Sequence, residues 1–281
     1  MTWKFKRRSF DLTHRGIIMG ILNVTPDSFS DGGSFLDPEE AVAHALRMER
    51  EGAEIIDVGG ESTRPGAEAV DAEQELMRVI PVIRALRARS EVVVSIDTSK
   101  AVVAEEAVRA GADIINDVTA LLGDSRMAEI AARSEAGVVL MHMQGEPRTM
   151  QQNPRYEDVT AEVTEFLRQR VSAAIGYGMA VERIAIDPGI GFGKRPEHNR
   201  TLLRSLGTLA ELGRPILVGV SRKSFLRWLA DASTTSDRFW PGVALTSFCR
   251  EKGARIFRVH EPKPHCDALR MTEAICENAN A

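Results

Sequence analysis

Asp97, Asn116 and Asp187 each end a short apolar run, and their neighbours fix which way they point. Ser95 pairs with Asp97, Ile114 with Asn116, Ala185 with Asp187 and Arg258 with His260 at a spacing of two. In strands, that spacing puts both members on one face. One face can therefore bring two carboxylates and an amide into a common mouth. Carboxylates accept hydrogen bonds and an amide does both, so the set suits a neutral, donor-rich ligand. An N–H beside an N–H2 pairs with a carboxylate in two-pronged fashion, as a guanidinium does. Arg64, Lys223, Arg258 and His260 supply positive charge, expected on the opposite side of that mouth. A heterocycle at one end and phosphates at the other would satisfy both groups.

Such residues need a frame. Short runs rich in Val and Ile recur at Gly16 to Leu22, Glu54 to Val58, Val92 to Ile96, Asp113 to Ile115, Gly137 to Met141, Arg183 to Ile186, Pro215 to Val220 and Ala254 to Val259. They do not alternate with polar residues, as expected of strands buried on both faces. Helix signals fill the gaps. Asp37-Pro38-Glu39-Glu40 reads as a cap followed by a first-turn proline, with Gly52 as the stop. Asp71 with Gln74 opens a second helix, whose buried face is expected at Leu76, Ile80 and Ile83, with a kink at Pro81. Ser99 is the expected cap of a third, ending at Gly111. Further helices are expected from about Tyr156 to Gly176 and after Pro196. Strand then helix, repeated eight times, predicts a single (β/α)8 TIM barrel over residues 1–281, with its site at the C-terminal strand ends. A doubly wound open sheet is the competing architecture. The basic start, Met1 to Arg8, is expected to be a surface strand or hairpin.

Composition removes several classes of function. A net charge of −4 argues against nucleic-acid binding by bulk charge. No apolar run reaches the roughly 18–20 residues of a membrane span, and no signal-peptide core follows the basic start. Three cysteines (Cys249, Cys266 and Cys276), an odd, sparse set clustered near the C-terminus, are neither a disulfide framework nor a CxxC metal site, and they fit a reducing, cytoplasmic setting. Gly189 to Lys194 looks like a phosphate loop, but Pro188 and Arg195 stand where Gly and Ser or Thr are needed. His260 to His265 resembles a zinc-protease motif with spacing one too long, and Pro262 and Pro264 are expected to prevent its helix.

Taken in order, these segments resemble dihydropteroate synthases. Gly20-Ile-Leu-Asn-Val-Thr-Pro-Asp-Ser-Phe-Ser-Asp-Gly-Gly33 is similar to that family's first signature, and Ile56-Asp-Val-Gly-Gly-Glu-Ser-Thr-Arg-Pro-Gly66 to its second. Ser95 to Lys100, Ile114 to Asp117, Leu140 to Gly145, Asp187 to Lys194, Gly219 to Ser224 and Arg258 to His260 continue the likeness. It covers about residues 11 to 275. The resemblance implies a Mg²⁺-using synthase, usually a homodimer. It would join a dihydropterin diphosphate to p-aminobenzoate in folate biosynthesis, and sulfonamides would target it.

Carried over position by position, the resemblance implies that Asp97, Asn116 and Asp187 hold the pterin edge. Lys223 would meet the pterin carbonyl and ring nitrogen and line the p-aminobenzoate pocket with Ser221. Thr63, Arg258, Val259 and His260 would hold the diphosphate, and Asn23 the metal. Phe29, Arg64, Pro65 and Phe192 would wall the p-aminobenzoate pocket. Lys223, Arg258, His260 and Asp97 are the expected catalytic set. Loops carrying Asn23 to Ser34 and Gly60 to Glu68, with glycines at 32, 33, 59, 60 and 66, are expected to close over the substrates. The sequence departs from the family at Glu261-Pro262-Lys263-Pro264 and Phe239-Trp240-Pro241-Gly242, which puts the dimer geometry in doubt. The alternatives are a pterin-binding methyltransferase, which would not need the phosphate set, and a non-catalytic pterin-binding relative.

Overall fold

The computed structural model describes residues 1–6, 8–25, 38–62, 69–230 and 233–276. β1 (Thr2–Phe5) and β2 (Arg8–Asp11) form an antiparallel hairpin. β3 (Ile17–Asn23), β4 (Ile55–Gly59), β5 (Val93–Asp97), β6 (Ile114–Asp117), β7 (Gly137–Met141), β8 (Ile184–Asp187), β9 (Ile216–Val218) and β10 (Ala254–Val259) follow. These last eight are parallel and close into a barrel in the order β10-β3-β4-β5-β6-β7-β8-β9. The helices between them are α1 (Pro38–Arg50), α2 (Ala72–Arg87), α3 (Ala101–Ala110), α4 (Met127–Arg133), α5 (Val159–Gly176), α6 (Pro196–Arg204), α7 (Leu206–Ala210), α8 (Phe225–Ala230), α9 (Phe239–Glu251) and α10 (Pro262–Cys276). This is the (β/α)8 barrel that the repeating pattern predicts. β7 and β10 match their expected runs, while the run from Pro215 to Val220 shortens to β9.

Two apolar layers hold the frame. Outward-facing strand residues such as Ile18, Leu22, Val58, Val94, Ile115 and Leu140 pack against the helices. Inward-facing Ile17, Met19, Ile55, Val93, Ile114, Val139, Ala185, Leu217 and Ile256 fill the barrel, together with Trp3, Phe5 and Leu12. The N-terminal hairpin is thus more than a surface ornament. Its alternating pattern turns Trp3 and Phe5 inward at the start of the strands, where the Trp3 Nε1–H donates to the Arg183 carbonyl at 2.8 Å. Phe5 sits against Gly137, where a Cβ would lie 2.8 Å from its ring.

Four local expectations need correction. The buried face of α2 is Glu75, Val79, Val82, Ile83 and Leu86, so Leu76 and Ile80 lie on its flank. A charged residue leads that face because Lys100 Nζ donates to Glu75 at 2.6 Å, a pairing that hydrophobic periodicity does not reveal. The Asp71 cap holds, accepting from the Gln74 N–H at 2.8 Å, and the helix continues through Pro81. Ser99 does not cap α3. Asp124 accepts the Ala101 N–H at 3.1 Å instead, while Gly111 ends the helix as expected, with φ 120°. α5 starts at Val159 on an Asp158 cap, three residues beyond Tyr156. α10 forms despite Pro262 and Pro264, because first-turn N–H groups have no partner within the helix. Asp37 lies outside the described residues.

Candidate active site at the barrel mouth

The strand register assembles the mouth. Asn23 lies beside Gly59, Gly59 beside Asp97, and Asp97 beside Asn116. Asp187 ends β8 beside Met141, and Arg258 comes up β10 beside Met19. Gly59 leaves open the space in which a Cβ would stand 3.7 Å from an Asp97 carboxylate oxygen. The period of two therefore delivers Asp97, Asn116 and Asp187 to one enclosure, as the sequence predicts, and Arg258 joins them there.

Charge is not divided between two sides of this mouth. Arg258 Nη2 donates to Asp97 Oδ2 and Arg258 Nε to Asp57 Oδ2, both at 2.6 Å. Asn116 Nδ2 donates to the same Asp57 oxygen at 3.0 Å. The expected basic side is thus interleaved with the acids, because buried carboxylates need a cation or hydrogen-bond donors beside them. Burial lifts the Asp97 carboxyl to about 7, against the pull of Arg258. Burial also lifts Asp187 to about 6, although Asp187 Oδ1 accepts the Gly189 N–H at 2.7 Å. Burial works against the Arg258 guanidinium, but Asp57 and Asp97 outweigh it and hold it firmly protonated. Burial and then Arg258 bring Lys223 down to about 8. The Lys223 ammonium lies 4.1 Å from the centre of the Phe192 ring. Ser221 Oγ stands 3.1 Å from His260 Nδ1.

Other expected positions divide differently. Val259 points outward into the packing between barrel and helices, so only its backbone can serve a ligand. Phe29, Thr63, Arg64 and Pro65 lie outside the described residues. So do Gly32, Gly33 and Gly66. Gly60 is not a hinge: a Cβ there would stand 2.8 Å from Val79, so the glycine permits close packing against α2.

Two residues escaped the sequence reading. Asp57 is fully buried at the centre of the network, and Ile55-Asp57-Gly59 follows the same alternation that picks out Asp97. Lys194 is the other. Its ammonium is taken up by its own loop, donating to the carbonyls of Phe192 at 2.9 Å and Gly189 at 3.0 Å. It also lies 3.0 Å from His142 Nδ1. Burial lowers Lys194 to about 7, and burial with Lys194 nearby lowers His142 to about 3. Gly189 can be nothing larger: its φ is 67°, and a Cβ would fall 1.9 Å from the His142 carbonyl oxygen. The glycine-rich loop thus closes on its own lysine and seats Asp187 and Phe192. His265 is likewise no metal ligand, lying buried 2.7 Å from Thr246 Oγ1.

Known proteins share this build. Residues 19–260 match the family model described as pterin binding enzyme. The dihydropteroate synthase of Escherichia coli K12 is 47% identical over 266 residues, 95% of this chain and 93% of that protein. The Yersinia pestis dihydropteroate synthase, solved in complex with a sulfonamide drug, superposes with a TM-score of 0.92 at 42% identity, covering 98% of this chain and 99% of that one. The Xanthomonas albilineans enzyme in complex with 7,8-dihydropteroate gives 0.88 at 42% identity, with 99% of both chains covered.

Proposed function

Because the chain belongs to the dihydropteroate synthase family of pterin binding enzymes, we infer that its barrel mouth is where the family's two substrates meet. The chain is a transferase of folate biosynthesis. It condenses (7,8-dihydropterin-6-yl)methyl diphosphate with p-aminobenzoate, yielding 7,8-dihydropteroate and diphosphate. One observation carries the placement of the reaction: Asp97, Asn116 and Asp187 converge on the same strand ends as Arg258 and Lys223.

In this reading Asp97, Asn116 and Asp187 accept the donor edge of the pterin, and Lys223 meets its carbonyl and ring nitrogen. Arg258, His260, Thr63 and the backbone at Val259 hold the diphosphate. Phe192 and Ser221, with Phe29, Arg64 and Pro65, form the p-aminobenzoate pocket. A sulfonamide would occupy that same pocket; the Yersinia pestis relative was solved in complex with a sulfonamide drug. The C–O bond to diphosphate breaks ahead of amine attack. Arg258, held protonated, stabilises the leaving charge. Asp97 and Asp187 place negative charge beside the electron-poor pterin. The aniline nitrogen attacks with its own lone pair and loses its proton late, so no strong base is required.

Magnesium suits this mouth as a companion of the diphosphate. Among the described residues no three His, Cys, Asp or Glu side chains gather as a metal site. Asn23, closing β3, offers a single amide oxygen, which fits an ion that keeps phosphate and water ligands. Asn23 would hold it, and the ion would neutralise diphosphate charge. Calorimetry should detect no stoichiometric Mg²⁺ binding without diphosphate; tight binding to the ligand-free chain would contradict this.

We read the chain as one domain, working in the cytoplasm as a homodimer, without nucleic-acid or membrane partners. No helix among the described residues is long and apolar enough to cross a membrane. The dimer reading rests on Trp240, Met271 and Ile275, which are 63–73% exposed on the adjacent helices α9 and α10. The deciding assay is diphosphate release. It should require both substrates; no release would favour a binding-only protein, release at the same rate without p-aminobenzoate would mark hydrolysis by water, and either would overturn the reading.

A further inference from the structure

Asp57 has no place in the substrate contacts proposed above, yet it ties Arg258 and Asn116 together at the centre of the mouth. One of its oxygens, Oδ2, takes both the Arg258 Nε–H at 2.6 Å and the Asn116 Nδ2–H at 3.0 Å. The other, Oδ1, is buried and has no hydrogen-bond partner among the described residues. A buried carboxylate oxygen left idle is costly unless another state of the site uses it.

The missing donor is next door. Nε and Nη2 of a guanidinium form a side-on fork that fits the two oxygens of one carboxylate. Arg258 already gives Nε to Asp57, but its Nη2 is spent on Asp97 at 2.6 Å. A pterin edge that occupies Asp97 removes that partner. Nη2 is then free to complete the fork on Asp57 Oδ1, and the far edge of the guanidinium, Nη1 and the second Nη2 hydrogen, is left open for an anion. Asn116 meanwhile keeps its Nδ2 tied to Asp57, which leaves its amide oxygen for the ligand.

We propose that Asp57 is a positioning residue for the reaction, the fixed pivot that orients the Asn116 amide and anchors Arg258 while that arginine passes from Asp97 to the diphosphate. The inference rests on the assignment of Asp97 to the pterin and Arg258 to the diphosphate. Its consequence is a coupling. A pterin that takes Asp97 hands Arg258 to the anion, so pterin and diphosphate each tighten the other's binding by the same factor.

Titration of inorganic pyrophosphate, with and without a non-reactive pterin such as 6-hydroxymethylpterin, measures this in the unmodified protein. Pterin should tighten pyrophosphate by about 5- to 150-fold, the usual range of such couplings. Independent binding of the two would overturn the proposal without any variant. Asp97→Asn frees Arg258 in advance, so pyrophosphate should bind this variant more tightly than the parent when pterin is absent, and the coupling should fall towards one. Asp57→Asn removes the anchor, so pyrophosphate should bind more weakly with or without pterin. A folded Asp57→Asn protein with parental pyrophosphate affinity and coupling would sink the idea, whereas a purely structural role would lower the melting temperature and leave the coupling intact. Failure of the underlying assignment looks different: Asp97→Asn would then bind pterin as tightly as the parent.

Discussion

The two ends of the barrel share the same strands and differ in what those strands point inward. At the N-terminal end the interior is Ile17, Ile55, Val93 and Ile256 under a lid of Trp3, Phe5 and Leu12, all buried and all apolar. A few residues further along, the inward positions become Asp57, Asp97, Asn116, Asp187 and Arg258. One end gains free energy by leaving water. The other holds carboxylates that burial lifts to about 6 and about 7, so the folded chain carries a cost there that a ligand can relieve. The contrast teaches that stability and binding are assigned to opposite ends of the same strands, and it can be broken at either end.

The largest effect belongs to the sealed end. Trp3→Ala removes a fully buried indole and the donor to the Arg183 carbonyl, and should cost about 3–5 kcal/mol. Denaturant unfolding would show the loss, while the Michaelis constants of the remaining folded enzyme should be unchanged. A change in pterin affinity of the same size would erase the distinction between the two ends.

Next comes binding order. The pterin grip stands on strand ends, whereas the amine pocket proposed above draws on residues that follow β3 and β4 in the sequence. Pterin with pyrophosphate should therefore raise sulfonamide affinity by about 5- to 150-fold, and linkage requires the reciprocal gain. Equal sulfonamide affinity in both conditions would show that the second pocket exists without the first ligand.

At the mouth, pH separates stability from binding by sign. Asp187, lifted to about 6 from an unfolded value near 3.9, contributes stability that is fully present below the unfolded value and is lost as pH rises through 6. Pterin affinity should run the other way, falling below pH 6 as the carboxylate takes a proton. The difference between the parent and Asp187→Asn, followed by thermal unfolding and by calorimetry from pH 5 to 8, isolates both trends. Parallel trends would contradict the account. The smallest expected effect is at the surface: Met271→Lys with Ile275→Lys should shift the sedimentation profile from dimer to monomer with little loss of folding stability, since both residues are exposed.

Much of the mouth was legible because alternation by two is a strict rule and the polar strand ends stand out against Val and Ile. Applied to Ile55-Asp57-Gly59, the same rule picks out Asp57, an acid inside the run from Glu54 to Val58. Other features carry no local signal. Arg258 bridging Asp57 and Asp97 joins residues 201 and 161 positions apart. Lys194 ends a segment whose sequence rules out a phosphate loop but does not show that the lysine is consumed by its own loop's carbonyls. Glu75 heads a buried helix face only because Lys100 reaches it from another element.

The central claim is that the acids of the mouth serve the pterin at the expense of the fold, and Asp187→Asn tests it most directly. Calorimetric titration with a pterin analogue, run beside thermal unfolding of the same samples, should show affinity reduced by about 1.5–3 kcal/mol, the worth of a charge-assisted hydrogen bond, at an unchanged or higher melting temperature. Unchanged affinity in a folded variant, or a loss of affinity matched by an equal loss of stability, would contradict it.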